Sequence, residues 1–246
     1  MNGTEVSWTA FDKVAELRCG PLSAHISLDD LTVGITNLKW SQNGLSGLKL
    51  FRFSSESKLG DVHIRGQDLI ATYAPVDPRH AASQVYWRAR HHDVQRAVGI
   101  ELVISMQTDL LECSPHCVVF SSLPCMEVLL AGSFEISAFH SIPFPGRTSV
   151  NPEIEPLQLF VVRLLHQPLS FAQLIHPADF TGTEADRAED SNDVRLRSPL
   201  FLSEHLEKGV IRRARMQGWF MPLKNDLETA VTLARAFVEE PLPLTA

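Results

Sequence analysis

What the chain lacks narrows the field before anything it contains. No window approaches about 18 apolar residues free of charge, so no transmembrane helix is expected. The opening residues show no positive stretch followed by an apolar one. A leader is therefore not expected, and a cytoplasmic setting with reduced cysteines is the default. Positive charge is in deficit: 22 Lys and Arg stand against 29 Asp and Glu, a formal net charge of -7. Nucleic-acid phosphates and anionic membrane surfaces need the opposite excess, so neither is an expected partner. The phosphate loops GxGxxG and GxxxxGK[ST], the GxSxG elbow and the HExxH zinc helix are all absent. These absences exclude the common nucleotide-binding, α/β-hydrolase and zincin classes. With no repeat of fixed period and no low-complexity linker, one domain over residues 1–246 is expected.

Cysteine is scarce, and three of the four, Cys113, Cys117 and Cys125, fall within 13 residues around His116. Zinc takes three or four such ligands in a tetrahedron. The spacing Cys-x2-His-Cys-x7-Cys matches no standard finger or ribbon, and no second CxxC follows. Cysteines within strand patterns serve as small hydrophobes, so no metal and no cofactor are expected. His91-His92-Asp93 reads as a polar turn, because adjacent strand residues face opposite ways.

What is present is mainly β. The first twenty residues are ambiguous: Val6, Ala10, Val14 and Leu17 would line one face of a short helix ended by Gly20-Pro21. From Ser23 to Pro222 short alternating runs dominate. Asp61 to Arg65 and Leu69 to Tyr73 read as a hairpin, and Val98 to Met106 carries an unbroken apolar face. Leu157 to Leu165 is apolar on both faces, so a central, doubly covered strand is expected. Further strands are expected at Cys117 to Phe120, Glu127 to Leu130 and Phe134 to Phe139. Pro143 to Pro156 reads as a long connection, and the acidic stretch 183–193 as a mobile loop. A helix over 226–239 closes the chain. Asn225 and Glu228 have capping-box spacing, and Leu227, Ala230, Val231, Ala234, Phe237 and Val238 form an apolar stripe. The expected class is mostly β, an antiparallel β-sandwich or its larger supersandwich form, with one C-terminal amphipathic helix.

The reverse face of these strands is polar. His63 and Arg65, then Gln84, Tyr86 and Arg88, then Glu101, Ser105 and Gln107 all oppose apolar positions. If the strands are neighbours, the residues form one surface that mixes an aromatic ring with planar donors and a carboxylate, as sugar sites do. A wet face of an antiparallel sheet would also look polar. Arg212 shares strand parity with Val210, Ala214 and Met216, which places it on the core side, with Glu101 or Glu207 as the expected counter-charge.

Four segments carry a family resemblance: Asp61 to Tyr73, Gln84 to Arg88, Gly99 to Gln107, and Leu206-Glu207-Lys208-Gly209-Val210-Ile211-Arg212-Arg213. Their succession resembles the β-supersandwich of galactose-mutarotase-like proteins. The last segment and the helix after it also resemble the tail of uncharacterised bacterial proteins. The family includes sugar epimerases and binding domains of larger carbohydrate-active enzymes. Its epimerases use a His as general acid and a Glu as general base, and the resemblance implies His176 and Glu207 for these roles. Two functions are expected in competition. In one, a carbohydrate or small polar ligand is bound by His63, Arg65, Tyr86, Arg88, Glu101 and Arg212, with or without mutarotase-like chemistry. In the other, the chain is a non-catalytic, self-associating interaction domain.

Overall fold

A computed structural model describes residues 5–54, 57–143, 145–151, 157–179, 181–187, 192–201 and 205–241. The chain begins with β1 (Val6–Phe11), β2 (Val14–Cys19), β3 (Leu22–Ser27), β4 (Ile35–Trp40), β5 (Asn43–Gly44) and β6 (Lys49–Phe53). It continues through β7 (Ser57–Arg65), β8 (Asp68–Pro75), β9 (Ala82–His92), β10 (Ala97–Gln107), β11 (Glu112–Cys113), β12 (Cys117–Ala131) and β13 (His140–Ser141). Then follow β14 (Gly146–Val150), β15 (Leu159–Leu164), β16 (Leu169–Ile175), β17 (Thr183–Arg187), β18 (Asp193–Leu200), β19 (Leu206–Glu207) and β20 (Ile211–Pro222), before helix α1 (Asp226–Glu239). The sheets are antiparallel throughout their pairings, and the class is mostly β with one C-terminal helix, as the alternation indicated.

Three groups of strands make the sandwich. A long sheet runs β7-β8-β9-β10-β20-β16-β15 and ends on the second half of β12 with β13. Facing it, β6, the first half of β12, β18, β17 and β14 form a second sheet. The meander β1-β2-β3-β4 joins that sheet through the single pair Ile35 and Leu50. Between the layers lies one apolar core, to which Leu17, Ile26, Val119, Leu196, Trp87, Leu102, Met216 and Phe220 all contribute. Phe53 and Trp87 meet edge-on across it, ring centroids 6.1 Å apart.

β12 serves both sheets, and its sequence explains how. It pairs with β18 as far as Pro124, which can donate nothing to a ladder. A register shift between Cys125 and Glu127 then carries it into the long sheet against β15. The two short strands expected at Cys117 to Phe120 and Glu127 to Leu130 are thus one strand.

Four other expectations need correction. Residues 6–19 form the hairpin β1–β2 rather than a helix, because Ala15, Leu17 and Cys19 alternate into the core. Phe134 to Phe139 holds a 3-10 turn at Ile136–Ala138 and no strand. Part of the connection Pro143 to Pro156 is β14. The acidic stretch 183–193 is largely strand, since Thr183, Ala185 and Arg187 turn inward while Glu184 and Asp186 face outward. Its residues 188–191 lie outside the described residues.

α1 lies on the outer face of the long sheet. Ala230, Val231, Ala234 and Phe237 pack on Leu159, Val161, Ala172, Leu174, Trp219 and Met221, with Leu227 and Val238 at the edges. β15 and β16 are therefore covered on both sides, as their apolar runs require. The capping box does not form. Asn225 has φ 61° and its side chain makes no cap hydrogen bond. Asp226 instead accepts from Arg163 Nε at 2.9 Å and Ser170 Oγ at 2.7 Å, tying the helix start to the sheet. Among the described residues no helix is long and apolar enough to cross a membrane.

Gly218 stands where β20 crosses the tightest part of the core. A Cβ there would sit 2.6 Å from Phe171 Cζ and 2.7 Å from Phe51 Cζ. Both rings are buried in the closely packed interior. Gly218→Ala is expected to destabilise the fold by about 1–3 kcal/mol through overpacking, read as a lowered midpoint in chemical denaturation. An unchanged midpoint would show that the rings yield freely.

Candidate functional site

Strand register places the polar side chains of the long sheet in rows. Arg65, Asp68, Arg88, Glu101 and Gln217 stand opposite one another across β7, β8, β9, β10 and β20. The next row is His63, Ile70, Tyr86, Val103 and Arg215, and beyond it comes Thr72, Gln84, Ser105 and Arg213. Side chains alternate across a sheet with period two, so all three rows share the outer face that α1 covers farther along. His63, Arg65, Tyr86, Arg88 and Glu101 are thus on one surface.

Within it the charges nearest the helix are already paired. Arg88 donates to Asp68 through Nε at 2.6 Å and Nη2 at 2.9 Å. Glu101, only 1% exposed, accepts from Arg90, which also reaches Glu240 just past α1 at 2.9 Å. Arg215 is 2% exposed. Its backbone N–H donates to Asp179 at 3.0 Å, its Nε lies 3.7 Å from the same carboxylate, and its guanidinium stacks 5.5 Å over the Phe237 ring. A guanidinium keeps its charge in a low dielectric, so such a position demands a carboxylate. His63 and Arg65 stand outside this seam. His63 is exposed beside Asp61 at 3.4 Å, and Arg65 is exposed at the hairpin end.

Beyond the helix end the third row opens into a groove of about 380 Å³. Thr72, Gln84, Tyr86, Ser105, Gln107 and Arg213 line it. Ile70, Tyr86 and Val103 form a small apolar cluster, of which Tyr86 lines the groove. Tyr86 donates to Gln84 Oε1 at 2.9 Å, which orients that amide. Ser105 is 8% exposed, and among the described residues its hydroxyl has no hydrogen-bond partner. Buried hydroxyls normally have one, so a ligand group or ordered water is called for at that point.

Arg212 shares the core-side face but is exposed rather than buried. The parity was right, because Ala214 and Met216 are in the core, but β20 runs past the end of the sandwich before it reaches them. Val210, Ile211 and Arg212 are accordingly exposed. The buried guanidinium of this strand is Arg215, on the opposite face, and Glu101 is held by Arg90. The helix-side charges Arg90, Arg215 and Glu240 were missed as site residues. The alternation of Arg213, Arg215 and Gln217 was the available signal.

His176 and Glu207 lie apart. His176 N–H donates to Arg215 O, and its ring meets Phe237 edge-on with centroids 5.4 Å apart. Glu207 is exposed opposite Glu112 in the β11–β19 ribbon, before the turn that enters β20. Four residues of β20 separate Ile211 from Arg215, roughly 13 Å of strand.

The cysteines do not converge. Cys117 and Cys125 are eight residues apart on one strand, about 26 Å at strand rise. Burial pushes the Cys117 thiol up to about 12. Cys113 is half-buried and His116 exposed. Among the described residues, no three His, Cys, Asp or Glu gather as a metal site requires.

Burial lowers the His176 pKa, Arg215 adds to the effect, and a hydrogen bond with the Val238 backbone opposes it. A depressed folded-state pKa means that the neutral ring is favoured. Its stabilisation is present above the unfolded value of about 6.5 and is lost as pH falls through the folded one. The fall in Tm between pH 7 and pH 5 should therefore be smaller in His176→Gln than in the parent. An equal or steeper fall would contradict the assignment.

No protein-family model matches the chain, and no curated protein matches it in sequence. Solved structures share its fold. A candidate aldose 1-epimerase from Klebsiella pneumoniae aligns over 99% of this chain and 91% of its own, with TM-score 0.51 and 7% identity. A TPR-domain containing protein from Parabacteroides distasonis aligns over 95% of this chain, with TM-score 0.56 and 10% identity; the match covers 50% of that protein. The α-N-acetylgalactosaminidase NagBb from Bifidobacterium bifidum, in complex with GalNAc, aligns over 97% of this chain and 38% of its own, with TM-score 0.50 and 11% identity. At such identities the likeness is one of fold: this chain has the β architecture seen in these three proteins.

Proposed function

We propose that the chain binds a carbohydrate or a related small polar ligand in the groove over β8, β9, β10 and β20. The observation that carries this reading is the Ser105 hydroxyl, buried and without a hydrogen-bond partner among the described residues, in a groove also lined by Thr72, Gln84, Gln107, Tyr86 and Arg213. A sugar offers the matching chemistry, with an apolar ring face and several hydroxyls that both donate and accept. The likeness of fold to a candidate aldose 1-epimerase supports the same ligand class.

Recognition without epimerisation is the form we favour. An acid and a base must both reach the sugar within hydrogen-bond distance, and His176 is packed against α1 while Glu207 sits at the far end of β20. Arg88 and Glu101 hold the floor of the sheet together through their ion pairs. Arg65 and His63 stand at the margin. Self-association remains the second reading, favoured by the exposed Leu110, Leu111, Val210 and Ile211 at the groove's outer edge.

A thermal-shift screen of neutral mono- and disaccharides tests the proposal. A sugar that binds only the native state raises Tm with concentration by mass action. Gln84→Ala is expected to weaken that sugar's binding up to about tenfold, the value of one neutral hydrogen bond. No sugar raising Tm at tens of millimolar, or an unaltered response in the variant, would overturn it.

A further inference from the structure

A larger cavity than this groove lies elsewhere, on the outer face of the second sheet, at about 730 Å³. Its centre is a column of β12, Phe120 and Ser122. Register sets a cation on each side of both residues: Arg52 and Arg197 flank Phe120, and Lys49 and Arg195 flank Ser122. Neighbouring strands lie about 4.8 Å apart, so four positive groups crowd one small surface of a chain whose net charge is -7. Like charges gathered on a sheet face are destabilising.

Their counter-charges are few. Arg197 leans on Glu184 at 3.4 Å, and Arg147 holds the same carboxylate at 2.5 Å. Arg52 donates its Nε to Thr32 O at 2.7 Å, which aims the guanidinium rather than neutralising it. Among the described residues of the cavity wall Asp193 is the one acidic side chain, and it is not free. Phe120 is only partly covered and stands between the two arginines.

We propose that this cavity is a second ligand site, separate from the groove of the long sheet, and that it takes a sugar bearing an oxyanion. The ring lies on Phe120, and the carboxylate or phosphate lies between Lys49 and Arg195 over the Ser122 hydroxyl. Guanidinium forks match either oxyanion in two-point hydrogen bonds, and the lysine adds a point charge. The site does not depend on the groove around Ser105.

Amide-resolved NMR titrations with glucuronate, glucose 6-phosphate, glucose and inorganic phosphate test it. Shifts at Ser122 and Arg195 are expected with glucuronate or glucose 6-phosphate, and which of the two binds more tightly identifies the oxyanion. Glucose should leave these amides unmoved, and inorganic phosphate should bind at least tenfold more weakly than the better sugar anion. Arg195→Gln and Lys49→Gln, both exposed and with unchanged melting curves as the folding control, should each raise Kd about tenfold. Gln84→Ala should leave it unchanged. Absence of shifts with both sugar anions, equal binding by Arg195→Gln, or phosphate binding as tightly as the sugar anion would each overturn the proposal.

Discussion

Glu101 and Arg215 are almost wholly buried in the outer face of the long sheet, and neither could be held there alone. Removing one partner of a buried ion pair costs on the order of 3–5 kcal/mol, because the other charge is stranded. Arg90, which Glu240 also holds, answers Glu101, and Asp179 answers Arg215. These pairs lie where α1 ends, and they divide the sheet. On one side Trp219, Met221, Ala172 and Leu174 are covered by the helix. On the other Gln84, Ser105 and Gln107 face an open groove. A helix of 14 residues, about 21 Å long, cannot cover the whole face. The uncovered remainder must be polar, and its hydroxyls and amides are then available to a ligand.

The same economy governs the second sheet. Among the described residues no helix is packed on the outer surface of β6, β12 and β18, and the alternation that sends Val119, Ser121 and Leu123 inward sends Phe120 and Ser122 out among cations. Both grooves therefore arise from period-two alternation on faces that the single helix leaves bare.

Much of this was legible in sequence, and the parts that were not have physical causes. Val98 to Met106 and Gln84 to Arg90 announced their faces because core-facing apolar side chains alternate with mostly polar or ion-paired ones on the other side. The surface formed by Tyr86, Arg88 and Glu101 followed from parity once the strands proved adjacent. Arg212 failed because parity says which face a residue takes, not whether the opposing layer extends that far. The acidic stretch hid β17, since Glu184 and Asp186 lie on an outer face where charge is tolerated. The pairing of Arg90 with Glu240 spans 150 residues, and no local pattern reports a contact of that range. The cationic column around Phe120 was invisible for the same reason: its members come from three strands distant in sequence.

The central claim is that the uncovered part of the long sheet is a ligand site rather than a merely solvated face. A crystal structure grown with the sugar that raises Tm most decides it directly. The account predicts the sugar ring against Tyr86, with one hydroxyl on Ser105 Oγ and another on the Gln84 amide. A groove occupied only by water, with the sugar bound elsewhere or not at all, would contradict it.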